Sequence, residues 1–137
     1  MIKIDRIDHF VLTVVDMDAT IRFYTEILGM TEATFNAGRK ALTFGQSKIN
    51  LHLAGHEFEP KAGTPTPGSA DLCLIVEGDI GTIERQLGSA GIRIEVGPVE
   101  KIGALGPMLS IYIRDPDRNL IELSTYLAEC LSDVGTL

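Results

Sequence analysis

The chain has 137 residues, 45 % of them hydrophobic, which suits one compact domain with a sizeable core and excludes a disordered segment. Nineteen acidic against twelve basic residues give a formal charge of −7, which argues against nucleic acid or an anionic membrane as a main partner, because both require clustered Lys and Arg. No apolar stretch approaches bilayer length, and Met1-Ile2-Lys3-Ile4-Asp5 lacks the continuous apolar run of a secretory signal, so the expected address is the cytoplasm.

In chain order, Ile7 to Val15 reads as a buried strand. Asp16 or Asp18 then offers an N-cap for a helix over Thr20 to Leu28, in which Ile21, Tyr24 and Leu28 share a face and Gly29 stands at the C′ position. Met30 to Phe35, Lys40 to Phe44 and Ile49 to Leu53 are strands, separated by turns at Asn36-Ala37-Gly38-Arg39 and Gly45-Gln46-Ser47. Pro60, Pro65 and Pro67, interleaved with Gly and small residues, mark a linker over about residues 55–68. The pattern then restarts. Asp71 to Val76 is a strand, Ile80 to Leu87 a helix ended near Gly88 or Gly91, and Ile92 to Val96 a strand. Gly97-Pro98 is expected to open a long loop through Gly106-Pro107 that acts as a mobile lid. Met108 to Arg114 is a strand, Asp115-Pro116-Asp117-Arg118 a type I turn, and Leu120 to Leu123 the last strand. Residues 127–137 form a tail without a strong signal.

The chain is therefore written twice, with unit one at about residues 4–54 and unit two at about 69–126. The fold class is α+β: two tandem βαβββ units whose eight strands form a curved sheet around a cleft. Matching the copies sets His9 on Asp71 in the first strands and His52 on Glu122 in the last. Imidazoles and carboxylates in symmetry-related pairs are metal-ligand types, and a duplicated fold that converges them builds a metal site. His56 falls outside the match. Cys73 and Cys130 form no CxxC motif, and Cys73 reads as a core thiol.

Three strings carry a family resemblance: Asp8-His9-Phe10-Val11-Leu12, then Phe23 to Met30, then Tyr112-Ile113-Arg114-Asp115-Pro116-Asp117-Arg118-Asn119-Leu120-Ile121-Glu122. Nearly the whole chain resembles the vicinal oxygen chelate superfamily of glyoxalase I, methylmalonyl-CoA epimerase, fosfomycin-resistance transferases and extradiol dioxygenases. Arg39-Lys40-Ala41-Leu42, Ile49-Asn50-Leu51-His52 and Glu57 to Ala62 look like a subgroup of small glyoxalase-domain proteins, some of them labelled virulence-associated.

The resemblance implies one divalent ion (Zn²⁺, Ni²⁺, Fe²⁺, Mn²⁺ or Co²⁺) at His9, His52, Asp71 and Glu122. Asp71 departs from the His that many members carry there. It also implies a small-molecule substrate with vicinal oxygens, and a homodimer. Glu122 is then the candidate catalytic base of a lyase or isomerase that forms an enediolate. Tyr112 stands where extradiol dioxygenases place a site tyrosine, so an Fe²⁺ dioxygenase is the main alternative. A thiol transferase and a non-catalytic binding module are further ones. Arg114, Phe35 and Met108 are candidate substrate contacts, with Arg39, Phe44 and Lys101 as further pocket residues. The second reading for Arg114 is a surface pair with Asp115 or Asp117.

Overall fold

The computed structural model describes residues 1–127, so all but the first residue of the expected C-terminal tail lies outside the described residues, Cys130 included. Contacts divide the chain into two units, Met1–Ala70 and a second beginning at Asp71.

Unit one runs β1 (His9–Val14), α1 (Met17–Arg22), a π-helical turn (Phe23–Ile27), β2 (Thr31–Phe35), β3 (Arg39–Phe44) and β4 (Ser47–Leu53). Asp16 caps α1 by accepting the Ala19 N–H at 3.0 Å. The Thr25 hydroxyl donates to the Ile21 carbonyl at 2.7 Å and competes with the helical ladder where the turn widens. Gly29, at φ +69°, turns the chain out of the helix. The strands order β1-β4-β3-β2, with β1 and β4 parallel and the other pairs antiparallel.

Unit two repeats the plan with β5 (Asp71–Ile75), α2 (Ile80–Ser89), β6 (Val96–Gly103), β7 (Gly106–Arg114) and β8 (Leu120–Tyr126). Its order is β5-β8-β7-β6, again with only the first pair parallel. Asp79 caps α2 through the N–H groups of Gly81 and Thr82. The eight strands and both βαβββ units are thus present, as two four-stranded sheets with β1 and β5 at equivalent edges.

Each sheet has one face committed to a core. In unit one Leu12, Val14, Leu42, Ile49 and Leu51 are buried, together with Thr20 and Tyr24 of the helical segment. In unit two the equivalent residues are Ile111, Ile113, Ile121 and Leu123, with Leu87 of α2. Alternation along each strand turns the intervening residues to the opposite face. That face carries the polar and ionisable candidates of both units.

The expected strand at 92–96 and the long loop after it are corrected. β6 begins at Val96, continues through Gly97-Pro98, and joins β7 by a turn at Ala104-Leu105. β6 is an edge strand, and a register shift between Val96 and Val99 absorbs the glycine and the proline. The segment expected to be a mobile lid is a short hairpin, tied by the Leu105 N–H to the Tyr126 hydroxyl at 3.0 Å. Gly97 sits at φ +109°, and a Cβ there would lie 2.4 Å from the Ser110 carbonyl oxygen. Gly97→Ala is therefore expected to lower stability by about 3 kcal/mol, since strained backbone and overpacking coincide. Urea unfolding checks this, and an unchanged midpoint would refute the bulge argument.

Candidate functional site

In unit one, β1 pairs with β4 so that Thr13 stands beside His52 and His9 beside Lys48. His9 and His52 share a face but lie four register steps apart, about 13 Å at the usual strand rise. His9 is exposed, and its Nδ1 lies 2.7 Å from Asp8 Oδ2, which leaves Nε2 outward. A carboxylate on one ring nitrogen is the usual partner of a metal-binding imidazole. His52 is only 8 % exposed and packs edge-to-face on Phe58, with centroids 5.5 Å apart. Burial first, then the positive charge of Arg39, pushes its imidazole below the ordinary range, against a smaller opposing effect of Glu57. At neutral pH the ring is uncharged, with a lone pair available to a cation.

This shift carries a pH signature in chelator-treated protein. The unfolded chain takes up this proton below about pH 6.5, while the folded chain resists it until lower pH. The contribution of His52 to stability is present above that value and is lost as the pH falls toward the depressed folded value. His52→Gln is expected to flatten the loss in melts at pH 7 and pH 5. Identical slopes in the two proteins would disprove it.

In unit two, Cys73 stands beside Glu122 and Asp71 two steps before it, on the edge strand β5. Tyr112 lies directly opposite Glu122 across β7 and β8, and Ser110 opposite Ser124. These residues and Met108 share one face. There Cys73, Met108, Tyr112 and Glu122 line a cavity of about 390 Å³, walled also by Ile75, Lys101, Ile102 and Tyr126. Ser110 and Ser124, both fully buried, donate to Glu122 Oε2 at 2.7 and 3.2 Å. Cys73, expected as a core thiol, is instead exposed on the edge strand; its thiol donates to Ser124 Oγ at 3.3 Å, and the partial desolvation of the sulfur raises its pKa, so it stays protonated. One carboxylate oxygen is thus fixed, and the other is not engaged by these donors. The Tyr112 phenol is pushed up to about 12, first by burial and then by the hydrogen bond to Glu122 and its charge.

The other candidates fall as follows. Met108 lines the cavity, and Asp71 is exposed. Phe35 lies in unit one under the Lys48 ammonium, 4.1 Å from its ring centre. Arg114 does not line the cavity. Its guanidinium is held by Glu95 at 3.0 and 3.4 Å and by the Arg118 carbonyl at 3.2 Å, so it forms a surface pair with a partner from outside its own strand and turn. Ser110, Ser124 and Cys73 were not foreseen as site residues, although strand alternation alone places Ser110 beside Tyr112 and Ser124 beside Glu122.

Among the described residues no three His, Cys, Asp or Glu side chains gather as a metal-holding group. The donor chemistry of each unit fits a divalent ion nonetheless. Unit one offers a neutral buried imidazole at His52 and a carboxylate-backed one at His9 four register steps away, and the registers correct the expected match, since Asn50 rather than His52 stands at the place of Glu122. Unit two offers a carboxylate with one oxygen already oriented.

The sequence pattern of the Glyoxalase/Bleomycin resistance protein/Dioxygenase superfamily matches residues 6–123. The chain belongs to this superfamily. Within the superfamily, it is 60 % identical over 124 residues to the virulence protein STM3117 of Salmonella typhimurium, covering 90 % of this chain and 86 % of that one. The crystal structure of that protein superposes with a TM-score of 0.91 over 92 % of this chain and 100 % of its own, at 59 % identity. The glyoxalase domain-containing protein RDO1 of Mycosarcoma maydis is 54 % identical over 125 residues, 91 % of this chain and 70 % of that one. An integron cassette protein from the mobile metagenome of V. cholerae has a TM-score of 0.91 at 50 % identity, over 93 % of this chain and 99 % of its own.

Proposed function

We propose that the chain is a metal-dependent, glyoxalase-like lyase or isomerase acting on a small substrate with vicinal oxygens. The observation that supports this most is Glu122, a carboxylate on a cavity of substrate size with one oxygen anchored by two buried hydroxyls. His9, His52, Asp71 and Glu122 are the side chains that would hold a divalent ion, which would supply Lewis acidity to the substrate's oxygens. Glu122 takes the proton from the carbon next to the carbonyl and returns it to the neighbouring carbon. Anchoring at Oε2 limits the carboxylate's rotation, so the proton leaves and returns along one direction. Tyr112 keeps its proton throughout the physiological range and, as Glu122 loses its charge on taking up the substrate proton, shifts its hydrogen bond from Glu122 to the oxygen that gains negative charge. Apolar Met108, Ile75 and Ile102 line the same cavity and offer contacts to the substrate's carbon skeleton.

Tyr112 beside Glu122 also favours a second reading, an extradiol-type dioxygenase using Fe²⁺. A homodimer is part of the proposal. It is supported by Ile2, Ile4 and Ile7, which stand 85 %, 83 % and 70 % exposed near the N-terminus.

The test is metal analysis and sedimentation of the purified protein, then assay with the methylglyoxal–glutathione hemithioacetal and with catechols under oxygen. Zn²⁺ or Ni²⁺ with isomerisation supports the first reading, and Fe²⁺ with oxygen uptake the second. No ion after reconstitution, or an ion with neither turnover, overturns the catalytic proposal.

A further inference from the structure

The face of unit one that bears His52 carries two cations resting on aromatic rings instead of on carboxylates. The Arg39 guanidinium lies 4.0 Å above the centre of Phe58, whose edge-to-face neighbour is His52. The Lys48 ammonium lies over Phe35. Neither makes an ion pair among the described residues, in a chain with seven surplus negative charges.

Register puts these groups together. Ala41 stands opposite Asn50, and Phe35 opposite Arg39, so Phe35, Arg39, Lys48, Asn50 and His52 share one face. Between them the sheet carries Ala33 opposite Ala41, two small residues, and Ala41 is buried under the groups on this face. A guanidinium held over a ring and in no ion pair has N–H groups to offer a bidentate oxyanion. Asn50 adds an independent observation. Its Oδ1 is buried and has no hydrogen-bond partner, which is costly unless a ligand supplies a donor. The acids nearby are engaged: Asp8 with His9, and Glu57 with the Gly55 N–H.

We propose that this face binds the oxyanion group of a small molecule, a carboxylate or a phosphate, through Arg39 with Lys48 as a second contact. A hydroxyl or amine of the same molecule meets Asn50. The inference rests on the proposed function for its biological meaning, since it makes the substrate an anion. Its test does not depend on turnover.

The chelator-treated full chain is titrated calorimetrically with phenyl phosphate, phenylacetate and uncharged benzyl alcohol. The better of the two anions identifies which oxyanion the site takes. Binding of that anion is expected at least tenfold tighter than benzyl alcohol. Arg39→Met should weaken it tenfold or more, Lys48→Met severalfold, and Lys3→Met, on the exposed N-terminal segment, not at all. Arg39→Lys keeps the charge without the planar fork and should fall between wild type and Arg39→Met, which covers the case in which the methionine variant does not fold. Equal affinity for benzyl alcohol, or full affinity in a folded Arg39 variant, overturns the proposal. Anion binding without turnover of any substrate removes the isomerase reading and leaves this site standing. Turnover without anion binding does the reverse.

Discussion

Replacing Glu122 with glutamine is expected to lower isomerase turnover about a thousandfold, near the middle of the range for loss of a positioned general base. The structure explains why Glu122→Gln is informative. Ser110 and Ser124 donate to one carboxylate oxygen, so the substituted amide turns its oxygen toward them and its NH₂ toward the cavity. The side chain keeps its shape and its anchors, and stability should barely change. An NH₂ group facing the cavity can neither accept a proton nor bind a cation. Metal content should therefore fall with the rate. Asp71→Asn, on an exposed edge position two register steps from Glu122, should cost far less. Steady-state kinetics and metal analysis on the same samples check both. A Glu122→Gln protein with wild-type rate would remove Glu122 from the mechanism.

How much of this was legible beforehand depended on whether the signal was local. The βαβββ repeat was readable because periodicity, Asp caps and Gly stops act within a few residues of one another. Asp16, Asp79 and Gly29 do what their types predict. β6 was misplaced because Gly97-Pro98 reads locally as a loop, and only its position at a sheet edge permits a strand there. The side-chain partners were less accessible still. Parallel pairing of β1 with β4 joins residues about forty apart, and no nearby residue states that Thr13, not His9, stands beside His52. Arg114 looked like an anion anchor because its partner Glu95 comes from outside its own strand and turn. Ser110 and Ser124 were visible by alternation, but nothing in a lone serine announces that it fixes a carboxylate.

The turn that sets Glu122 against Tyr112 supplies the largest expected change in stability. Asp115, 5 % exposed, accepts the Asp117 and Asn119 N–H groups at 3.0 and 2.9 Å on Oδ1, and the Asn119 side-chain amide at 2.8 Å on Oδ2. Its backbone is bonded to Arg118 and Asn119 as well. Asp115→Ala removes the acceptor from three donors, two of them on the nearly fully buried Asn119, and the loss is expected to be about 4 kcal/mol. That is a large share of the roughly 5–15 kcal/mol that holds an ordinary domain together. Asp115→Asn keeps the shape and one acceptor oxygen, so about half the loss is expected. Denaturant unfolding separates the two variants, and a loss below about 1 kcal/mol for Ala would show that the turn does not need this carboxylate. The effect should reach the cavity. β7 and β8 are joined only through this turn, and their pairing brings Tyr112, Ser110 and Ser124 to Glu122. Faster amide exchange in both strands of a still-folded Asp115→Asn protein, with weaker metal retention, is the result that would tie the turn to the site.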